Sequence, residues 1–155
     1  MKRIQIVSLS RMQEMRKMLN EYLIELSEFD KDIKFDDNGV PIYNWFECYW
    51  EDKERYPIYL IIDNQVAGMA MIRELGTLEY DIAEFYVQPN YRKDGNAMWF
   101  ATEITNLFEG KFTISARHTN ERAIKFWSKF ASLFENNAYV DDEIWRSWTL
   151  RDDLE

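Results

Sequence analysis

The stretch of the sequence with the most chemical information runs from residue 82 to residue 97 and reads IAEFYVQPNYRKDGNA. An apolar run ends at Val87, and a short loop then leads to Arg92-x-x-Gly95-x-Ala97, where a predicted helix begins. Backbone N–H groups at a helix N-terminus have no intrahelical partner and bind anions, and glycine lets the backbone approach a phosphate without a Cβ in the way. With the charges of Arg92 and Lys93, this pattern predicts a pyrophosphate site. The pattern alone also matches ordinary loops in which the glycine only permits a tight turn into a helix.

The strand before this loop changes the phase of its apolar residues. They occupy even positions from Leu78 to Ile82 and odd positions from Ala83 to Val87. Because side chains alternate between the two faces of a strand, the slip indicates a β-bulge near residues 82–84, which would turn a backbone N–H out of the ladder beside Glu84. A strand buried on both faces would explain the pattern equally well.

A second candidate segment reads Asn120-x-x-Ala123-x-x-Phe126-Trp127. Asn120 is a good helix N-cap, and capping alone would account for it. Aromatic residues at this spacing belong more often to a core than to a site. The segment gains meaning only together with the loop at residues 92–97.

Periodicity and turn signals indicate the elements that must position these residues. Strands are predicted at residues 3–7, 58–62, 66–72, 78–87 and 111–116, with one or two more between 139 and 150; helices are predicted at 12–26, 42–49, 95–109 and 120–134, and an acidic loop at 28–41. A hairpin followed by β-α-β-α-β indicates a mixed sheet with helices on both faces. No repeat, low-complexity segment or linker interrupts the chain, so we expect one domain over residues 1–155.

Composition excludes several classes of function. The formal net charge is −9, so the average field of the molecule repels a polyphosphate backbone and we expect no nucleic-acid partner. Cys48 and His118 are single residues of their types, which excludes a disulfide and a cysteine- or histidine-rich metal site, and we expect no metal. No apolar run approaches the roughly 18 residues of a membrane span, and no signal peptide is recognisable, so we expect a cytoplasmic protein with no membrane partner. The acidic balance favours a cationic partner, although solubility explains it equally well.

The order and spacing of these pieces resemble the GNAT superfamily of N-acetyltransferases. The strand Glu84-Phe85-Tyr86-Val87, continued to Arg92-x-x-Gly95-x-Ala97, looks like that family's acetyl-CoA motif, and the segment that begins at Asn120 looks like its second cofactor motif. The order of elements agrees from residue 3 to about 150. The resemblance implies an α/β (α+β) fold: a mixed, mostly antiparallel twisted sheet of six to seven strands with about four helices on both faces.

The resemblance also implies how acetyl-CoA would bind as the co-substrate. The backbone of Phe85 and Val87 would pair with the pantetheine arm like another strand, in the gap between strands 82–87 and 111–116. The pyrophosphate would lie on the N–H groups of residues 92–97, and Asn120 would bind from the far side. The full set of cofactor residues expected in this way is Phe85, Tyr86, Val87, Arg92, Lys93, Asp94, Gly95, Asn96, Ala97, Asn120 and Phe126.

Two positions depart from the family's pattern. Asp94 puts an acid where members often carry a basic residue or glycine, next to the expected phosphates. Trp127 stands where many members have a tyrosine that protonates the leaving thiolate, and an indole N–H is not a useful acid. A tyrosine acid at that position is therefore absent.

Glu84 is the first choice for a general base, because amine acetylation needs a neutral amine and a free alkylamine with a pKa of roughly 10 is mostly protonated at neutral pH. The alternatives are that Glu84 binds a cationic acceptor, that it is a surface glutamate, or that it is a structural partner of an arginine. Backbone N–H groups near Phe85 or Tyr86 would stabilise the oxyanion. Tyr86 or Tyr91 could serve as the acid, and we take Tyr86 with Glu84 as the catalytic candidates, with no metal.

The sequence thus predicts an N-acetyltransferase that acts on a primary amine of a small molecule or peptide, with a cationic acceptor favoured. The segment 27–50, expected to shape the acceptor pocket, is acidic and aromatic and contains Glu28, Asp30, Asp32, Asp36, Asp37 and Trp45. The alternatives are a degenerate domain that binds acyl-CoA as a sensor or scaffold without catalysis, and a protein-interaction module built on the aromatic residues between 43 and 50. A homodimer is one option for the assembly.

Overall fold

A seven-stranded sheet runs through the centre of the molecule, and the computed structural model describes it within residues 1–151. The strand order is β1-β2-β3-β4-β5-β7-β6. The strands are β1 (Lys2–Ile6), β2 (Arg55–Ile62), β3 (Gln65–Gly76), β4 (Glu79–Val87), β5 (Lys111–Arg117), β6 (Asn137–Asp141) and β7 (Trp145–Leu150). The helices are α1 (Met12–Leu26), α2 (Cys48–Glu51), α3 (Asn96–Leu107) and α4 (Glu121–Ala131). Only β4 and β5 run parallel, so the predicted mixed, mostly antiparallel sheet is confirmed.

The two faces of the sheet bury two separate apolar clusters. Alternation along β2 sends Ile58 and Leu60 to the face covered by α3 and α4, and Tyr59 and Ile61 to the face covered by α1. All four residues are 2% exposed or less. Burial of apolar area on both faces is the main force that holds the helices against the sheet, and the predicted placement of helices on both faces is confirmed.

The helix predicted over residues 42–49 is wrong in extent. The structure has turns from residue 44 and a helix of only four residues, α2. Trp45 has a φ of 70°, in the left-handed region, and its side chain is 70% exposed. A right-handed helix cannot pass through such a residue. The helical spacing of Phe46 and Tyr49 reflects their burial against α1 and β2, not a continuous helix.

The register of β4 explains the change of phase in its sequence. Glu84 pairs with Met71 while Ile82 pairs with Ile72, so Ala83 is an extra residue on β4. This is a β-bulge, and the predicted bulge at residues 82–84 is confirmed. Beyond it, Glu84 and Tyr86 face α1 while Phe85 and Val87 face α3 and α4.

The parallel pair β4–β5 is short, and the two strands then part. Their register covers only Glu79 with Lys111, Tyr80 with Phe112, and Asp81 with Thr113. From Ile82 onward β4 keeps its ladder to β3, and no strand within residues 1–151 pairs with its other edge, while β5 continues in a ladder with β7 to Arg117. The splayed strands implied by the sequence are therefore present, and they open a gap in the middle of the sheet.

Trp127 is a structural residue of the α4 face. It is 6% exposed and makes edge contacts with the rings of Phe85, Phe126 and Phe130, at centroid distances of 4.9, 4.7 and 5.8 Å. We expect Trp127→Phe to lower the free energy of unfolding by about 1–2 kcal/mol through lost contacts, less than a truncation to alanine. Denaturant unfolding measures this.

The matched control for that experiment is Trp45→Phe, the same chemical change at a side chain that is 70% exposed. It should shift the free energy of unfolding by less than about 0.5 kcal/mol. Equal effects of the two substitutions would show that Trp127 does not contribute to packing in the way its contacts indicate.

Candidate active site

Two cavities meet at the gap between β4 and β5. One, of about 420 Å³, lies between the end of β4, the loop before α3 and the start of α4; we call it the basic cleft, after Arg92, Lys93, Arg122 and Lys129 on its walls. The other, of about 530 Å³, lies between α1, the loop that follows it and the diverging strands; we call it the acidic cavity, after Asp30, Asp32, Asp81 and Glu84. The cavities share part of their lining, including Phe85 of β4.

The basic cleft concentrates positive charge in an acidic protein. Its four cations face one carboxylate, Glu25 of α1, which forms salt bridges with Arg92 and Arg122. Burial raises the pKa of Glu25, but the hydrogen bonds and charges of the two arginines outweigh burial and leave the pKa below its usual range. Arg92 also donates from Nε to the Val87 carbonyl, at 2.8 Å. The arginine is therefore held at the end of β4 with its charge facing the cleft.

The loop before α3 has the shape that the sequence predicted. Gly95 is the N-cap of α3 with a φ of 70°, and Asp94 before it has a φ of 57°. A Cβ added to Gly95 would meet no atom within 4 Å, so the backbone here borders open space. Asn96 is buried and donates from Nδ2 to the Tyr91 carbonyl, at 2.9 Å, which ties the start of the helix to the loop.

The structure brings together all of the expected cofactor residues except Asp94. The ten that line the basic cleft are Phe85, Tyr86, Val87, Arg92, Lys93, Gly95, Asn96, Ala97, Asn120 and Phe126. Asp94 does not line it, and its backbone carbonyl accepts from Lys2 Nζ at 3.4 Å. The residue that departs from the family's pattern therefore lies beside the cleft but is not part of its wall.

Backbone geometry shows which groups of β4 are free. The N–H of Gln88 donates to the Ala67 carbonyl of β3 at 2.8 Å, and the Tyr86 carbonyl lies against Gly68 of β3. In an antiparallel ladder the N–H and C=O of successive residues alternate between the two sides of the strand. The backbone groups of Phe85 and Val87 therefore point to the edge without a partner strand, as the pairing with a pantetheine arm requires.

Aromatic rings and an N-cap form the far wall. The Phe85 ring stacks on Phe100 and Phe126 at 5.1 and 5.7 Å. Asn120 caps α4, since its Oδ1 accepts from the Ala123 N–H at 3.2 Å, and it lines both cavities. The capping interpretation of Asn120 is confirmed, and Asn120 also borders the cavities on both sides of the gap between β4 and β5.

Glu84 is held by two phenols on the α1 side of the sheet. Tyr22 of α1 donates to Oε1 at 2.8 Å, and Tyr43 of the loop donates to Oε2 at 2.9 Å. Burial raises the pKa of Glu84 to about 7, and the nearby charges of Asp81 and Asp30 add to the rise. The two hydrogen bonds lower the pKa, because they favour the charged form, but they do not outweigh burial. A carboxylate in this state takes up a proton near neutral pH, which suits a general base.

The other acids of the acidic cavity differ in their partners. Arg117 Nη2 binds Asp30 at 2.9 Å and Asp32 at 2.6 Å, and the Arg117 guanidinium lies over the Trp145 ring. Within residues 1–151, Asp81 forms no salt bridge, and burial raises its pKa against the opposing charge of Arg73. Of the acids expected from the segment 27–50, Asp30 and Asp32 line the cavity, whereas Glu28, Asp36, Asp37 and the aromatic Trp45 do not.

Tyr86 lines the basic cleft with a buried ring that contacts Arg92 and Tyr22, and Tyr91 lines neither cavity. Burial raises the pKa of Tyr86. Sequence reasoning missed Tyr22 and Tyr43 as partners of Glu84, and Arg122 and Lys129 as cations of the cleft. Arg122 follows the Asn120 cap directly and could have been found from that motif, but the tyrosines lie 62 and 41 residues from Glu84, and no local pattern links them.

In the part of the chain that the structure describes, no group of three or more His, Cys, Asp or Glu residues is arranged to hold a metal ion. No helix within residues 1–151 is both long and apolar enough to cross a membrane.

The fold is shared with several solved acetyltransferases. A spermidine N-acetyltransferase from Vibrio cholerae, solved with CoA and spermine, matches with a TM-score of 0.68 and 11% identity over 97% of this chain and 95% of that one. The PaiA N-acetyltransferase from Thermoplasma acidophilum, solved with coenzyme A, matches with a TM-score of 0.67 and 10% identity over 96% and 98%. The ribosomal-protein-S18-alanine N-acetyltransferase from Escherichia coli matches with a TM-score of 0.65 and 12% identity over 97% and 93%.

Sequence comparison gives the family directly. A comparison with curated proteins finds no match. The family described as acetyltransferase (GNAT) family matches residues 13–131, from the start of α1 to the end of α4, and so includes both cavities' principal residues. The chain therefore belongs to the GNAT family of acetyltransferases, enzymes that use acetyl-CoA.

Proposed function

We propose that this protein transfers the acetyl group of acetyl-CoA to a primary amine of a cationic small molecule or peptide. One observation supports the proposal above the others: the basic cleft and the acidic cavity meet where β4 and β5 part, with Phe85 on both walls. A cofactor in the cleft and an acceptor in the cavity would bring their reacting ends together at that point. Proximity of this kind is a large part of catalysis of a two-substrate transfer.

The basic cleft fits acetyl-CoA by shape and charge. Arg92, Lys93, Arg122 and Lys129 offer positive charge to phosphates, although the whole chain carries −9. The open backbone at Gly95 and the N-terminus of α3 suit the pyrophosphate. The free edge of β4 suits the amide groups of the pantetheine arm. Glu25 holds two of the arginines in place, and a phosphate would take over their hydrogen bonds.

The acidic cavity favours a cationic acceptor. Its lining has four carboxylates, at Asp30, Asp32, Asp81 and Glu84, against two cations, Lys34 and Arg117. Arg117 forms salt bridges with both Asp30 and Asp32. The remaining negative charge of the cavity therefore lies on Asp81 and Glu84 of β4, on the side where the amine must react. The related structures include enzymes named for spermidine and for a ribosomal-protein alanine, so both a small amine and a peptide N-terminus are compatible with this fold.

Glu84 gives the cavity its chemistry. An alkylamine with a pKa of roughly 10 arrives mostly as ammonium and must lose its proton before it attacks the thioester. Above pH 7 Glu84 is mostly ionised and can accept a proton from the attacking nitrogen, directly or through one water. The backbone N–H of Phe85, at the free edge of β4, is the candidate donor to the oxyanion. A cysteine thiol has a pKa of about 8.5 and the CoA thiol is expected at that value or a little higher, so its thiolate is a moderate leaving group.

A panel of amines with acetyl-CoA and a thiol-release readout tests the proposal. We expect release with amines that carry a second positive charge and none with acidic amines of the same size. Binding of acetyl-CoA without release for any amine would favour the alternative, a domain that senses acyl-CoA without catalysis.

The cofactor loop can be tested by a change at Gly95. In Gly95→Asp the added Cβ meets nothing within 4 Å; the φ of 70° strains any side chain at this position, but aspartate adopts a positive φ more readily than most residues. It puts a negative charge where the pyrophosphate would lie, and like charges about 4 Å apart repel by about 4 kcal/mol at an effective dielectric constant of 20. We expect acetyl-CoA affinity, measured by calorimetry, to fall by roughly 10²- to 10³-fold.

Gly95→Asn is the matched control, since asparagine has the same size, tolerates the same φ and carries no charge. It should lose much less affinity than Gly95→Asp. Unchanged affinity in Gly95→Asp would place the pyrophosphate elsewhere.

The base can be tested by Glu84→Gln, which keeps the size of the side chain but cannot accept the proton. Acetyl-CoA affinity should stay nearly intact, because Glu84 lines the acidic cavity and not the basic cleft. Turnover should fall by roughly 10²-fold or more. In the wild-type protein kcat/KM should rise with pH through an ionisation near pH 7, as Glu84 loses its proton, and this limb should flatten in the variant.

Glu79→Gln is the control, because Glu79 is an exposed glutamate of the same strand that lies outside both cavities. It should leave turnover and the pH profile unchanged. A rise in KM with unchanged turnover in Glu84→Gln would instead show that Glu84 anchors the acceptor's charge. No change in any of these quantities would make Asp81, the other free carboxylate of the cavity, the next candidate for the base.

A further inference from the structure

Six residues line both cavities, and they form the passage between them: Tyr22, Leu26, Phe85, Asn120, Ala123 and Trp127. A proton taken from an amine in the acidic cavity must cross this passage to reach a thiolate in the basic cleft. Of the six side chains, only the Tyr22 phenol can give up and take back a proton in water. The indole of Trp127 and the amide of Asn120 cannot.

Tyr22 is already hydrogen-bonded to the proposed base. Its hydroxyl donates to Glu84 Oε1 at 2.8 Å. Tyr43 donates to the other oxygen of Glu84 at 2.9 Å, but it lines the acidic cavity alone. The two tyrosines thus make equivalent contacts with Glu84 and differ in access to the cofactor side.

We propose that Tyr22 is a catalytic residue that relays the proton from Glu84 to the departing thiolate of CoA. This inference rests on the proposed function. The proposal places the general acid on α1. The position on α4 where many family members have a tyrosine acid is occupied by Trp127, which cannot supply a proton.

The relay balances as follows. The neutral amine attacks the thioester carbon, a C–N bond forms, and the proton on nitrogen passes to Glu84 Oε1 or Oε2. The C–S bond breaks with its electron pair on sulfur, the Tyr22 O–H proton moves to sulfur, and the proton on Glu84 moves from Oε1, the oxygen that contacts Tyr22, to the Tyr22 oxygen. A proton first taken up by Oε2 reaches Tyr22 only after the carboxyl group rotates. The products are the acetylated amine, the CoA thiol, an ionised Glu84 and a neutral Tyr22. The extra proton of the incoming ammonium is lost to solvent before the attack.

The charges around Glu84 suit this order of events. Tyr22 approaches it from α1 and Tyr43 from the loop, while Asp81 of β4 and Asp30 add negative charge. Burial, and then the charge of Glu84, raise the pKa of Tyr22 well above 10, so the phenol is neutral before reaction. Once Glu84 carries the proton, its charge no longer opposes ionisation of the Tyr22 phenol. The net transfer of a proton from a carboxyl group with a pKa of about 7 to the thiolate of a thiol with a pKa of about 8.5 is favourable.

The test compares Tyr22→Phe with its matched control, Tyr43→Phe. Each substitution removes one hydrogen bond to the Glu84 carboxylate, which raises the pKa of Glu84 and moves the acid limb of the pH profile upward in both variants. At pH values above that limb, single-turnover thiol release should fall at least about tenfold further in Tyr22→Phe than in Tyr43→Phe, because only Tyr22 lines both cavities. The fall in Tyr22→Phe itself should be roughly 10²-fold, the usual scale for loss of a general acid.

Calorimetry with CoA and a thermal melt accompany the rates, so that lost folding or lost binding is recognised. Equal plateau rates in the two variants, whether both normal or both reduced, would overturn the relay and leave the tyrosines as groups that only position Glu84. An active wild type, an impaired Glu84→Gln and a normal Tyr22→Phe would overturn the relay but keep the proposed function. A wild type that binds CoA and acetylates no amine would overturn both.

Discussion

The parting of β4 and β5 is the constraint on which the site depends. The strands pair for only three residues each, and the bulge at Ala83 lies directly after the last pair. An extra residue bends a strand and changes its twist, so β4 cannot follow β5 beyond this point. Unpaired backbone groups inside a sheet would normally be costly. Here they face a cavity, at Phe85 and Val87, where the proposed extended ligand would bind them.

Charge is sorted between the two sides of this gap. Arginines and lysines gather around the basic cleft, and unpaired carboxylates remain in the acidic cavity, although the molecule as a whole is acidic. Glu25 contributes to this distribution of charge, because its salt bridges hold Arg92 and Arg122 in the positions that the proposed phosphates would use. Arginines held in advance lose less entropy when a ligand binds. In the proposed function, this separation of charge would direct the two substrates to opposite ends of one passage.

Glu84 owes its chemical character to opposing effects. Burial and neighbouring carboxylates disfavour its charge, while two phenols donate to it, and the balance is a pKa of about 7. The phenols come from α1 and from the loop that follows it, so the position of α1 on the sheet affects the base as well as the wall of the cleft. This gives α1 a chemical role in addition to its packing against Tyr59 and Met71.

Local patterns in the sequence were sufficient for most of the elements, for the family, and for the bulge as one of two interpretations of the phase change, because these depend on residues close together in the chain; the cofactor role of the loop at residues 92–97 stays a prediction. Gly95 and the phase change at Ala83 are such features. The sequence also predicted a helix at residues 42–49 that the positive φ of Trp45 interrupts, since the spacing of buried residues does not reveal a local reversal of the backbone. Only the tertiary structure decided which tyrosines hold Glu84, which acids stay free of Arg117, and that Tyr22 reaches both cavities. These contacts join residues from distant parts of the chain that the packing of α1, β4 and β5 brings together. No local sequence pattern links residues so far apart, so the sequence alone does not predict these contacts.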